Sequence, residues 1–126
     1  MSETRRVIRV TERLRKELAE VLTKHVHDPR ITNTVITHIE LTSDLQSAKV
    51  YVRNVADAED SQRSKDMLAG LQRALKLIQG ELGRRLSLRY TPKLTFYYDN
   101  SLEARSRIDI LLNEIAQESP SSLPEK

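Results

Sequence analysis

Apolar residues recur at Val7, Val10, Leu14, Leu18 and Val21. That three-and-four spacing puts them on one stripe and predicts a helix over residues 4–24. Arg5, Arg9, Arg13 and Lys16 follow the same spacing on the opposite face, and Ser2 or Thr4 supplies a cap. HVHDPR ends the helix, because Asp28 precedes a proline and avoids the helical region. The period then changes to two. Thr34 to Thr42 predicts a strand with Val35, Thr37, Ile39 and Leu41 on one face and Ile36, His38 and Glu40 on the other. Ser43-Asp44 makes a turn, and Ala48 to Val55 forms a second strand. There Val50, Val52 and Asn54 alternate against Tyr51, Arg53 and Val55. Two strands this close pair as an antiparallel hairpin.

After an acidic loop, Ala56 to Ser61, the helical period returns from Gln62 to Leu86. Met67, Leu71, Leu75, Ile78, Leu82 and Leu86 form its apolar stripe, with Lys65, Arg73, Lys76 and Arg84 opposite. Gly70, Gly80 and Gly83 interrupt it, each disfavouring helix by about 1 kcal/mol relative to alanine. A kink or two helices is therefore expected. Lys93 to Tyr98 is a third strand. A last helix starts at Asn100-Ser101 and carries Leu102, Ile108, Leu111, Leu112 and Ile115. From Gln117 the tail has too little apolar surface to order itself. The prediction is an α+β domain over residues 1–116 with a disordered tail over 117–126. Its order is helix, two strands, kinked helix, strand, helix, with the helices on one face of a three-stranded sheet.

Composition narrows the classes. With 126 residues, the chain is one domain large enough to bury a core. It has no cysteine, so it has no disulfide or thiolate metal site, and a reducing, cytoplasmic setting fits. MSETRRVIRV has scattered charges and no apolar core, so it does not read as a signal peptide, and no run is long enough for a membrane span. The net charge of +3 conceals segregation: residues 61–98 carry eight basic and two acidic groups. One face can thus be strongly positive.

The stretch LGRRLSLRYTPKLTFYYD concentrates that charge at a junction of helix end, turn and strand. Its cations can neutralise phosphates, and Tyr51, Tyr90, Tyr97 and Tyr98 offer stacking surfaces for unpaired bases. Tyr90, beside Arg89 and Pro92, is the better ligand contact; Phe96 and Tyr98 read as core. Catalysis finds little support. There is no phosphate loop of the GxxxxGK[ST] type, and Asp99 and Glu103 near a strand end read as helix caps. His25 and His27 lack a third convergent ligand, so no metal site is predicted. No cofactor is expected.

RVxRVTERLRKELAEVL, HDPR, TxxELTSDLQSAKVYV, LRYTPKLTFYYDNSLE and RID, in this order over about residues 5–115, resemble bacterial ribosome-binding factor A. The resemblance implies a KH-like domain of the second topological type. It implies an assembly factor, not an enzyme, that binds the immature 30S ribosomal subunit and the 5′-terminal region of its 16S rRNA. Precursor processing, growth in the cold and release shared with a ribosome-associated GTPase belong to the same implication. The family replaces the GxxG loop of KH domains with a helix-kink-helix bearing Ala-x-Gly. Here Ala74-Leu75-Lys76 stands at that place, with Lys76 for glycine, and Gly80 offers an alternative bend one turn later. Gly80-Glu81-Leu82-Gly83 spells GxxG, but Leu82 continues the core stripe.

The expected RNA contacts are Arg5, Arg9, Arg73, Lys76, Arg84, Arg85, Arg89, Tyr90 and Lys93. Reversing Arg84 and Arg85 to glutamate is expected to weaken subunit binding without an unfolding defect. A rival reading is a protein-interaction module docking on a ribosomal protein through the hairpin or last helix. A weaker one is a nuclease using Asp99 or Glu103. A monomer is expected, since nothing in the sequence demands a dimer.

Overall fold

The computed structural model describes residues 2–55, 61–101 and 110–116. Helix α1 (Ser2–Lys24) leads into a 3₁₀ turn (Pro29–Ile31) and strands β1 (Thr34–Leu41) and β2 (Ser47–Asn54). Helices α2 (Ser61–Arg73) and α3 (Leu75–Leu86) precede strand β3 (Lys93–Tyr98), and residues 110–116 are again helical. The sheet order is β1-β2-β3. β1 runs antiparallel to β2, and β3 runs parallel to it. A tight turn cannot join parallel neighbours, so the chain crosses over through α2 and α3. This order, with α1, α2 and α3 on one face of a mixed sheet, is a KH-like α+β domain.

The core is the meeting of the apolar stripes. Leu14, Leu18 and Val21 of α1, Met67 and Leu71 of α2, and Ile78 and Leu82 of α3 are fully buried with Val50 and Val52 of the central strand. The long helical stretch breaks at Ala74, whose φ of −87° and ψ of 0° leave the helical region. The hydrogen bonding nevertheless continues: Ala74 N–H donates to Gly70 O at 3.0 Å, and Ile78 N–H donates to Ala74 O at 2.9 Å. The bend lets α2 lie on β2 and β3 while α3 lies along α1, which one straight helix cannot do. Gly80 lies inside α3, which is continuous from Leu75 to Leu86, so the bend is not at Gly80. Gly70 has a definite role instead. A Cβ there would sit 3.0 Å from Ile31 Cγ2, so glycine lets α2 approach the 3₁₀ turn.

The expected strict alternation of β1 does not hold. Ile36 pairs with Val52, but the next pair is His38 with Tyr51, so Thr37 is the extra residue of a bulge. Ile36 therefore joins Ile39 and Leu41 against the core, and Val35 moves to the outer face. The bulged Thr37 directs Oγ1 to Asp99 Oδ2 at 2.6 Å and lies 3.2 Å from Tyr51 O. Residues 110–116 differ from a core helix, since Leu111, Leu112 and Ile115 are exposed. Leu102, Ile108 and the tail over 117–126 lie outside the described residues.

α3 ends on Ser87 in the left-handed region, with φ 54° and ψ 35°. Glycine has no Cβ penalty there and is the favoured residue. Ser87→Gly is expected to stabilise the domain by about 0.5–1 kcal/mol, read as a higher urea midpoint at unchanged m. An unchanged or lower midpoint would show that the Ser87 side chain contributes more than its backbone strain costs.

Candidate nucleic-acid interface

The basic loop between α3 and β3 is held at both sides. Gln79 in α3 donates from Nε2 to Pro92 O at 3.0 Å and accepts Leu94 N–H on Oε1 at 2.8 Å. Pro92 is fully buried, and Lys93 N–H donates to Gln46 O at 2.9 Å. The loop's start and end are thus fixed, while Arg89 and Tyr90 project outward. The Arg89 guanidinium carbon lies 5.5 Å from the Tyr90 ring centroid, and Tyr90 is 60% exposed.

The β1–β2 turn is built equally firmly. Asp44 Oδ1 accepts Thr42 Oγ1–H at 2.6 Å and Gln46 N–H at 3.1 Å. These bonds, the threonine's first, hold the Asp44 carboxyl below its ordinary range. Leu45 adopts φ 64°, and its buried side chain offsets that strain. Arg6, Ser43, Asp44, Gln46, Arg89 and Tyr90 line a cleft of about 340 Å³ with Leu45 and Leu88 at its base. The start of α1, the hairpin turn and the basic loop therefore meet at one end of the domain. Arg6 was not among the expected contacts, which followed the Arg5–Arg9 row of the helix; only the tertiary packing brings it to Arg89.

Arg85 is not a surface cation. Its side chain is 23% exposed, and Nη1 donates to Glu17 at 2.9 Å and Glu20 at 2.7 Å. Nη2 lies 3.2 Å from His25 Nε2, and Arg13 donates to the Arg85 carbonyl at 2.9 Å. Arg85, expected from the sequence as an RNA contact, thus spends its guanidinium tying α3 to α1. Hydrogen bonding to Arg85 also lowers the Glu20 pKa. Arg84 is exposed but bonds Glu81 one turn back, which lowers the Glu81 pKa.

The remaining expected cations divide between the two ends of α3. Arg5, Arg9, Arg89 and Lys93 are exposed toward the cleft end. Arg73 and Lys76 flank the bend at the other, roughly 18 Å away along twelve helical residues. Among the described residues, none of these six is within ion-pair distance of a carboxylate. The bend end is braced by Asp28, which accepts Arg30 N–H at 2.9 Å and the Arg30 guanidinium at 2.6 Å. These bonds depress the Asp28 carboxyl to about 2.

Asp99, considered as a catalytic acid, accepts hydrogen bonds from Thr37 at 2.6 Å and from Ser101 N–H at 3.0 Å. Its carbonyl accepts from Arg53 at 2.7 Å. It closes the end of the sheet; Glu103 lies outside the described residues. Arg53, which alternation puts on one face of β2 with Tyr51 and Val55, is only 1% exposed. A cavity of about 760 Å³ between α1 and the edge of β1 is lined by none of the expected contacts.

The description ribosome-binding factor A belongs to the family model that matches residues 6–112. A protein of that description from Syntrophobacter fumaroxidans is 42% identical over 113 residues, covering 90% of this chain and 96% of the relative. The solution structure of a Thermotoga maritima protein described as a putative ribosome binding factor A superposes with a TM-score of 0.65 at 26% identity. That alignment covers 78% of this chain and 91% of the other. A Thermus thermophilus ribosome binding factor A homology model, fitted into a cryo-EM map of a 30S complex, matches with a TM-score of 0.57 at 27% identity. It covers 71% of this chain and 90% of that one.

Two outcomes test the site's construction. Surface substitutions generally change stability by within about 0.5 kcal/mol, and Arg84→Glu should stay in that range. Arg85→Glu adds a carboxylate beside Glu17 and Glu20 and should lower the urea midpoint well beyond it. The double reversal thus confounds unfolding with lost binding, contrary to the sequence-based expectation. Equal midpoints for the two variants would sink the tie between α1 and α3. Asp28 has a folded pKa of about 2 against an ordinary 3.8. Its stabilising contribution is complete above about pH 4 and disappears as the pH falls through 2. NMR titration should place its midpoint near 2, and Asp28→Asn should flatten that limb of the stability profile. A midpoint near 4 would show that the turn does not hold the carboxylate.

Proposed function

The chain belongs to the ribosome-binding factor A family, and on that premise we propose that it binds the free, immature 30S ribosomal subunit as an assembly factor. Its contact is with 16S rRNA, and it assists maturation of the RNA's 5′ end, a role that matters most for growth in the cold. It acts by binding and release rather than by catalysis, as a cytoplasmic monomer, with a ribosome-associated GTPase sharing the release step.

The observation that carries this reading is the cleft end of the domain. There Arg6 and Arg89 line the cleft with the exposed Tyr90 ring, on a loop fixed by Gln79, and Lys93 follows at the start of β3. Cations held on a rigid frame meet phosphates with little ordering cost, and the ring offers a face to an unpaired base. Arg73 and Lys76 at the helix bend extend the contact along the RNA, in the place where KH domains carry their phosphate loop. The protein-docking alternative draws on Ile110, Leu111, Leu112 and Ile115, which are exposed on residues 110–116.

Salt separates the two. Sedimentation of tagged protein with cell extract should show co-migration with free 30S subunits at low salt and its loss at high salt. The double variant Arg89→Glu/Lys93→Glu should bind purified subunits more weakly. Its slope of log affinity against log salt should be shallower by about 0.7–0.9 for each phosphate contact removed. Absence from the small-subunit fraction at low salt would overturn the proposal. Binding that ignores both salt and the double variant would favour docking on protein.

A further inference from the structure

The outer face of the sheet carries a second arrangement that the basic cleft does not use. β-pairing places His38 of β1, Tyr51 of β2 and Tyr97 of β3 on one rung. Their rings form a continuous row. The Tyr51 and Tyr97 centroids are 5.5 Å apart at 28°, and His38 and Tyr51 are 5.8 Å apart at 34°. The helices α1, α2 and α3 pack on the opposite face, and on this one Tyr97 is 41% exposed and the His38 side chain is exposed.

The next rung toward the hairpin turn is polar: Glu40, Lys49 and Thr95. Glu40, Lys49, Thr95 and Tyr97 line a depression of about 380 Å³. Ser47 and Lys93 follow on the rung beyond. No aliphatic side chain stands on these three rungs, so the surface offers no aliphatic patch to a partner. It has instead what a nucleotide needs: π-faces for a base, a carboxylate acceptor for an exocyclic amine, and two ammonium groups for phosphate.

We propose that the His38–Tyr51–Tyr97 row is a nucleobase-stacking site for unpaired RNA, with Glu40 favouring adenine or cytosine over uracil. The base lies against the exposed end of the row at Tyr97, its amine toward Glu40 and its phosphates toward Lys49 and Lys93. Uracil has no exocyclic amine to donate. The site deepens the reading that the chain binds ribosomal RNA and rests on it; it lies on the outer face of the sheet and shares only Lys93 with the cleft end.

The test uses the full chain and short single-stranded RNA oligonucleotides of A, C or U, by fluorescence anisotropy. Aromatic NMR of the wild type follows the Tyr97 and His38 ring resonances. A and C oligonucleotides are expected to bind more tightly than U and to shift those resonances. Tyr97→Val and His38→Thr keep strand-forming residues outside the core. Each should weaken binding of the A oligonucleotide about ten-fold without changing the salt slope, because stacking carries no charge. Unshifted ring resonances, or variants that bind like the wild type, would overturn the site. If the wild type still sediments with 30S subunits in that case, only the stacking site fails. If ring variants lose the subunits while the wild type binds no oligonucleotide, the face docks protein and the proposal is wrong. Failure of both assays in the wild type removes the RNA reading and the site together.

Discussion

The structure depends on β3 lying parallel to β2. Parallel neighbours need a crossover, and a three-stranded sheet has one face to bury it on. The crossover must leave the end of β2, cover the inner face and return to the same end from which β2 began. Two helices at an angle satisfy this, with Met67 and Leu71 on one and Ile78 and Leu82 on the other reaching the same core. The return delivers the basic loop beside the hairpin turn, because Lys93 pairs with Ser47. The charged junction is thus a geometric consequence of strand order.

Polar groups fix the corners where packing alone would leave them loose. Gln79 closes the start of β3, Asp44 the hairpin, Asp28 the turn below α1, and Asp99, through Ser101 N–H, the end of the sheet. Each accepts a backbone N–H that would otherwise lack a partner, which defines conformation more sharply than apolar contact does. Arg85 does the same between helices by joining carboxylates of α1. The chain therefore separates its cations. Some bind the domain together, and others are left exposed on the frame so formed.

That separation bears on the RNA binding proposed above. The cleft with Arg89 and Lys93, the bend with Arg73 and Lys76, and the ring row on the outer face point in different directions from one small body. On that proposal the domain meets folded RNA at several strands at once, with phosphate contacts giving affinity and ring contacts distinguishing unpaired from paired bases.

Much of this was legible in the residues. The stripe Leu14, Leu18 and Val21, the alternation Val50, Val52 and Asn54, and the Asp28-Pro29 break each reflect local spacing, and local spacing decides which face is apolar. The ordered motifs from HDPR to LRYTPKLTFYYD carried the family. The sequence also held the charge segregation of residues 61–98, but not its division. Arg84 and Arg85 are adjacent, yet one is exposed and the other meets Glu17 and Glu20, more than sixty residues away in the chain. The bulge at Thr37 shifts the faces of Val35 and Ile36, and its hydrogen-bond partner, Asp99, comes from beyond the end of β3. The row His38–Tyr51–Tyr97 exists only through register across three strands. Period and charge are properties of neighbours in sequence; which cation is neutralised and which rings align depends on contacts that only the closed sheet and its crossover create.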